Sequence, residues 1–168
     1  MENMIDVLDK ENSEYEILLE LSLRKTPIII QGNLEELSKI MDDEQTVVNR
    51  INHLEQKRED VLKDIANVLN KDVKTLKLKT LIQLLKTRPQ EQQMLAKVYD
   101  KLTKIVRQVD RANGQNRELI KNALEMVEFD MNLLQSVKRA PETANYNKGA
   151  YNTGSIMGPT AGSFDAKQ

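Results

Sequence analysis

The chain holds few residues that could do chemistry, and its single histidine is the first to test. His53 is followed by Glu55, and Arg50 stands three residues before it. A di-iron bundle needs a glutamate at that position, because its helices carry Glu-x-x-His motifs. The chain has no cysteine, which excludes thiolate metal sites and cysteine nucleophiles. We interpret His53 as a solvated helix residue and predict no catalytic residue, no metal site and no cofactor.

Two charged segments are further candidates for a ligand site. The acidic run MDDEQ, residues 41–45, lacks the spacing of an EF-hand and is interpreted as an ordinary acidic helix face. The basic segment KDVKTLKLKTLIQLLKTR, residues 71–88, contains six basic residues and one acid. It could contact anionic lipid or an acidic partner, but a solvated connection between helices is the favoured interpretation.

Composition excludes several classes of protein. Lys and Arg number 25 against 26 Asp and Glu, so a broad basic field for nucleic acid is absent and no nucleic-acid partner is expected. No apolar run approaches ~18 residues, which predicts no integral membrane segment. The acidic start MENMIDVLDKENSEYE has no apolar core of a signal peptide, and a cytoplasmic location is expected.

Helical periodicity dominates the chain as far as Pro141. The first helix has an apolar stripe, and Pro27 is expected to kink or interrupt it near its end. Gly32 suits a helix stop, and Asn33 with Glu36 suits the start of the second helix. The stripe contains Ile5, Leu8, Tyr15, Leu19 and Ile29.

The later helices follow in the same way. The second helix is predicted to stop at residues 70–72, and a short helix to occupy residues 80–85. Pro89 suits the first position of a third long helix of about 50 residues, roughly 75 Å at 1.5 Å per residue. The fold class is therefore all-α: an elongated antiparallel bundle of three long helices plus one short helix. Residues 1–140 form the bundle, and residues 141–168, which hold four of the six glycines, are predicted to be a flexible tail.

The order and spacing of several motifs resemble the FlgN family of type III export chaperones for flagellar hook-associated proteins. The pattern E-x3-Y-x2-LL occurs at residues 11–19, and IQGNLEEL at residues 30–37 gives a short break before a leucine helix. Two further patterns are E-x2-hh-x2-h-x2-LE-x2-R, at residues 44–58 (h, apolar), and N-x2-N-x2-LI, at residues 113–120. The likeness ends with Y-x2-G, formed by Tyr146 and Gly149.

This resemblance implies a non-enzymatic, cytoplasmic export chaperone. It would hold the C-terminal helical segment of a hook-associated protein, prevent premature assembly, and deliver the client to the export apparatus. A coiled-coil scaffold or signalling helical hairpin is the alternative, because heptads of unrelated proteins look alike. The tail, through Tyr146, Gly149 and Tyr151, could contact the client or the export machinery, or be disordered.

Unequal helix lengths suggest where a client would bind. If Pro89 lies opposite Leu69, the third helix extends roughly 20 Å beyond the corner at Asn33. Its apolar end would then lack partners within the chain and suit helix-in-groove binding. As alternatives, the helix bends back, the tail covers it, or it pairs in a homodimer. The predicted client-binding residues are Met126, Val127, Phe129, Met131, Leu133, Leu134 and Val137, with Ile28, Ile29 and Ile30 at the corner.

Asn113, Gly114 and Asn116 interrupt the apolar pattern in the middle of the third helix. Asn116 falls on the heptad seam, and a buried amide there fixes helix register at some cost in stability. The same pairing puts Asn113 and Asn116 level with Glu44 and Ser22, which predicts a structural polar layer. The alternative is that the two asparagines contact the client. Gly114 either faces away from the seam or permits the close approach of a backbone.

Overall fold

The structure is a computed structural model that describes residues 2–72 and 76–139. This part of the chain contains no strand, which confirms the all-α prediction with three long helices and one short one. The helices are α1 (Glu2–Gln31), α2 (Leu34–Val68), α3 (Leu78–Leu84) and α4 (Pro89–Arg139), and a 3-10 turn, Leu85–Thr87, follows α3.

Residues 1–129 form one compact unit, and a second unit begins at Asp130. Of the second unit the structure describes residues 130–139, the last part of α4. The expected boundary between bundle and tail, after residue 140, falls at the edge of the described residues and stays a prediction.

The turn between α1 and α2 has a hydrogen-bonded cap at the end of α1 and another at the start of α2. Gly32 has φ +67°, its N–H donates to the Ile29 carbonyl at 3.1 Å, and the Asn33 N–H donates to the Ile28 carbonyl at 3.2 Å. This pair of bonds is a Schellman motif, which needs a left-handed residue where Gly32 stands. The Asn33 side chain then accepts from the Glu36 N–H at 3.2 Å and caps α2. The predicted helix stop and start are both confirmed.

Pro27 does not interrupt α1. The helix continues through it to Gln31, so the predicted interruption was wrong, while a kink at Pro27 stays a prediction. Pro27 is exposed and lies in the second-last turn. Its missing N–H therefore leaves only one carbonyl, that of Leu23, without a helical donor, on a side where water is available.

The remaining boundaries agree with the sequence to within two residues. α2 ends where Asn70 adopts φ +52°, and the Lys71 N–H donates to the Ala66 carbonyl at 3.0 Å. α3 begins at Leu78 rather than at residue 80, and its last turn tightens into the 3-10 turn. Pro89 is the first residue of α4, where its missing N–H has no cost.

Cross-helix contacts fix the directions of the three long helices. Glu14 pairs with Arg50 at 2.9 Å, and Ser22 contacts Glu44, so α2 runs antiparallel to α1. Contacts of α1 with α4 advance along both helices, from Asn12 with Val98 to Ser22 with Asn113. α4 is therefore parallel to α1 and antiparallel to α2.

Among the described residues, much of the core lies in two apolar clusters. The larger one is formed by α1, α3 and α4 together with the 3-10 turn, and the smaller by α1, α2 and α4. Buried members of the larger cluster are Met4, Leu8, Leu78, Leu81, Leu85, Leu95, Leu102 and Ile105. Those of the smaller cluster are Leu18, Leu21, Val47, Ile51 and Val109.

Candidate functional site

The last turns of α4 present apolar side chains to solvent. The seam that is buried at Ala112 and Asn116 is only partly buried at Leu119, and every described side chain from Ile120 to Lys138 is exposed. Phe129, for example, is 65% exposed. All seven α4 residues in the predicted client-binding set are exposed: Met126, Val127, Phe129, Met131, Leu133, Leu134 and Val137.

Helical spacing sorts these seven residues into two stripes. Met126, Phe129, Leu133 and Val137 recur at intervals of three and four residues and share one side of α4. Val127, Met131 and Leu134 form a second stripe about 100° around the helix, since each residue advances by a hundred degrees. Both stripes belong to a single helix, and all seven side chains are exposed to solvent.

The isoleucines at the end of α1 do not form a set. Ile29 is 8% exposed and belongs to the core, Ile28 is half-buried, and Ile30 is 69% exposed. Only Ile30 is fully available to a partner. The predicted tail contacts Tyr146, Gly149 and Tyr151 lie outside the described residues.

The structure brings together all four residues of the expected polar layer. Ser22 Oγ lies 3.2 Å from Glu44 Oε1 and 3.2 Å from Asn113 Oδ1. Its single proton serves one acceptor at a time. Lys25 Nζ pairs with Glu44 Oε2 at 2.5 Å, and both side chains are largely buried.

Asn116 occupies the centre of this layer. It is 2% exposed, its amide donates to the Ser22 carbonyl at 2.7 Å, and its Oδ1 accepts from Thr26 Oγ1 at 2.7 Å. A buried amide is tolerated when it is bonded in this way. Because both the nitrogen and the oxygen of the Asn116 amide are bonded to α1, the structural interpretation fits this geometry. Asn113 is half-buried beside it.

Gly114 faces outward. A Cβ built on it meets no atom within 4 Å, so no neighbouring backbone requires a glycine at this position. Of the two explanations left open by the sequence, the structure supports the one in which Gly114 points away from the seam.

A second polar cluster, which sequence reasoning missed, lies between α1 and α2. Glu11 is 1% exposed, its Oε1 lies 3.1 Å from Arg58 Nε, and neither of these two atoms has a well-directed hydrogen bond. The Tyr15 hydroxyl donates to Glu55 Oε1 at 3.4 Å. Glu11 and Arg58 belong to two of the motifs that carry the family resemblance. The signal that was overlooked is spacing: Glu11 lies three residues after Leu8 and four before Tyr15, on the buried stripe.

Burial dominates the electrostatics of Glu11. Desolvation raises the pKa of its carboxyl to about 7, although Arg58 opposes the shift and Glu55 adds to it. Removing a carboxylate from water disfavours its charged form. A carboxyl that exchanges its proton near neutral pH therefore lies inside the helical unit.

The residues first considered for catalysis or metal binding are not gathered into a metal site in the part of the chain that the structure describes. His53 is exposed. Nowhere in residues 2–72 and 76–139 does a group of His, Asp and Glu side chains come together that could hold a metal ion. Within the same residues, no helix is both long and apolar enough to span a bilayer.

Comparison with known proteins identifies a family and a relative that this chain resembles. A family model described as FlgN protein matches residues 1–153. The uncharacterized protein YvyG of Bacillus subtilis (strain 168) is 27% identical over 137 residues, which cover 79% of this chain and 76% of that protein. No solved structure matches the chain. Because the FlgN model spans most of the sequence, the protein belongs to the FlgN family of flagellar export chaperones.

Proposed function

We propose that this protein binds the C-terminal helical segment of flagellar hook-associated proteins in the bacterial cytoplasm, prevents their premature assembly, and delivers them to the export apparatus. The observation that carries the proposal is the exposed apolar stretch at residues 126–137 of α4. Apolar stripes along one helix suit partner helices that add to it.

The two stripes explain how such a surface would hold a client. A client helix packed on the first stripe would cover Phe129 and Leu133, and a second helix, or the other side of the same one, would cover Met131 and Leu134. Two methionines provide unbranched, polarizable side chains that adapt to differently shaped partners. Binding would be non-covalent, and free client would be withdrawn from assembly by mass action.

The test uses purified hook-associated proteins, with and without their C-terminal helices, and titrates them with this protein. Phe129→Asp and Leu133→Asp should each abolish binding, because a charge would replace the centre of the first stripe, while far-UV circular dichroism keeps its helical signal. Asn132→Asp is the matched control, since it adds the same charge at an exposed position on the side of α4 that faces away from the centres of both stripes, and it should bind as the native protein does.

Unchanged binding by Phe129→Asp and Leu133→Asp would contradict the proposed docking surface. Equal binding of clients that lack their C-terminal helices would contradict the proposed client segment. Recovery of filament or receptor proteins instead of hook-associated proteins would favour the alternative, a scaffold or signalling hairpin.

A further inference from the structure

A basic trough lies on α2, α3 and α4, away from the proposed client stretch. It consists of two adjoining hollows, of about 510 Å³ and 590 Å³, that share Lys79 and Tyr99. Five exposed basic residues surround it: Lys77, Lys79, Lys104, Arg107 and Arg111. Among the described residues, Glu59 and Asp100 are the acidic members of its lining.

Within the part of the chain that the structure describes, three of these basic side chains have no carboxylate as an ion-pair partner. Elsewhere on the surface, basic side chains lie within 4.0 Å of a carboxylate and form ion pairs. Lys101 and Glu16, for example, are 3.0 Å apart. Among residues 2–72 and 76–139, no carboxylate comes that close to Lys79, Lys104 or Arg107. Since the whole chain has a net charge of −1, this local excess of positive charge is a feature of one surface and not of the whole protein.

The floor of the trough is apolar. Leu76 and Leu78 are buried beneath it, while Leu62 and Tyr99 are half-buried and remain partly accessible. Concave surfaces of this kind accept side chains from a partner, and charged rims select partners of opposite sign. The complementary shape is a segment with apolar side chains on one side and carboxylates on the other.

We propose that the basic trough binds an acidic amphipathic segment of a partner protein. A membrane fits less well, because the apolar side chains lie recessed below the charged ones and could not insert into a bilayer. A nucleic acid fits less well, because the 26 acidic residues of the chain oppose binding of a long polyanion. None of the residues that line the trough belongs to the proposed client stretch, residues 126–137.

The test uses the full chain and a fluorescein-labelled helical peptide of about 20 residues that carries Glu on one face and Leu on the other. Fluorescence anisotropy at low salt measures its affinity. Lys104→Glu combined with Arg107→Glu should weaken binding at least tenfold, and raising the salt concentration should weaken binding to the native chain. Both side chains are exposed, so the double variant should keep its helical signal and Tm.

Two controls make the result specific. Lys57→Glu combined with Arg117→Glu changes the net charge by the same amount at exposed positions outside the trough, and it should bind the peptide as the native chain does. A peptide with Lys in place of every Glu should bind the Lys104→Glu, Arg107→Glu variant more tightly than it binds the native chain.

Three outcomes would overturn the proposal. The first is no binding of the acidic peptide to the native chain. The second is equal weakening by the two double variants, which would mean a non-specific charge effect. The third is binding to phosphatidylglycerol vesicles, lost in the Lys104→Glu, Arg107→Glu variant, without binding to the peptide, which would assign the trough to a membrane surface.

Discussion

Glu11 is a buried carboxyl group beside Arg58, and its charge should respond to pH near neutrality. Its folded-state pKa of about 7 exceeds the ordinary value of 4.5. The folded protein therefore binds a proton that the unfolded chain has released, over the whole interval between these two values. The stabilisation that Glu11 contributes is fully present below the pKa of its carboxyl in the unfolded chain. It is lost as pH rises through the pKa of that carboxyl in the folded protein.

We expect the free energy of unfolding of the native protein to fall by at most about 3 kcal/mol between about pH 5 and about pH 8, at 1.36 kcal/mol per unit of pKa shift. Glu11→Gln should remove this decrease, because a neutral amide carries no titrating proton. Urea denaturation across the pH series measures the effect. Glu20→Gln, at an exposed position of the same helix, should retain it. A decrease that persists in Glu11→Gln would assign it to other groups.

The two buried amides differ in how readily the sequence reveals them. Asn116 stands at a heptad position between Ala112 and Leu119, so its burial and its partners near Ser22 and Glu44 could be predicted from spacing and helix pairing. Asn12 donates to the Val98 carbonyl at 3.2 Å, a backbone partner that no residue pattern marks. Glu11 was missed because a charged residue on an apolar stripe is usually assigned to the exposed side.

At the scale of the elements, Pro27 shows how a local preference is overridden. Proline disfavours helix, yet α1 reaches Gln31 because Ile29 belongs to the core and the Schellman motif at Gly32 closes the helix end. Packing of the residues on both sides of Pro27 outweighs the loss of one hydrogen bond. Capping residues were easier to predict, since their side chains and φ angles act within four residues.

Pro27→Ala should raise the free energy of unfolding by about 1–3 kcal/mol, because it restores the hydrogen bond to the Leu23 carbonyl and removes the clash of the ring. Pro89→Ala is the matched control, at the first position of α4, where no hydrogen bond is gained. Its stability should be unchanged or slightly lower, since the unfolded chain gains freedom. Thermal and urea unfolding measure both variants, and a Pro27→Ala protein less stable than the native one would contradict this account.

The sequence predicted that the end of α4 has exposed apolar residues, but the exposed stretch is longer than predicted. The sequence placed the apolar exposed stretch at residues 126–137, whereas exposure already begins at Ile120 and includes Leu124. Helix lengths alone predict which residues of α2 lie opposite which residues of α4 to within one or two helical turns. The connection through α3 and the 3-10 turn determines the remainder, and residue periodicity carries no information about its path.

At the scale of the whole molecule, stability and binding are expected to depend on different parts of the chain. Within the described residues, the buried side chains lie between Met4 and Asn116. The basic trough could not be predicted, because it depends on how α3 brings Lys79 next to Lys104 and Arg107. Only the excess of lysine in residues 71–88 pointed towards it.

Removing residues 141–168 should leave the Tm unchanged, because the known core precedes them. Differential scanning calorimetry checks this, and a lowered Tm would show that the removed residues support the fold. The same protein tests the predicted contacts of Tyr146, Gly149 and Tyr151: client affinity or export should fall if these residues bind a partner. Normal affinity together with normal export would assign them no such role.

The side chains of Asn12 and Asn116 form hydrogen bonds between α1 and α4 at two positions along the helices. These bonds constrain how the helices can change length during evolution. Each residue inserted into α4 between Val98 and Asn116 would rotate everything after it by about 100° and turn Asn116 away from Ser22. Seven residues restore the angle almost completely, provided that α1 and α2 lengthen together. Insertions and deletions accepted in related chains should therefore come in matched multiples of seven within the bundle, whereas insertions after residue 120 would leave the contacts of Asn12 and Asn116 in place.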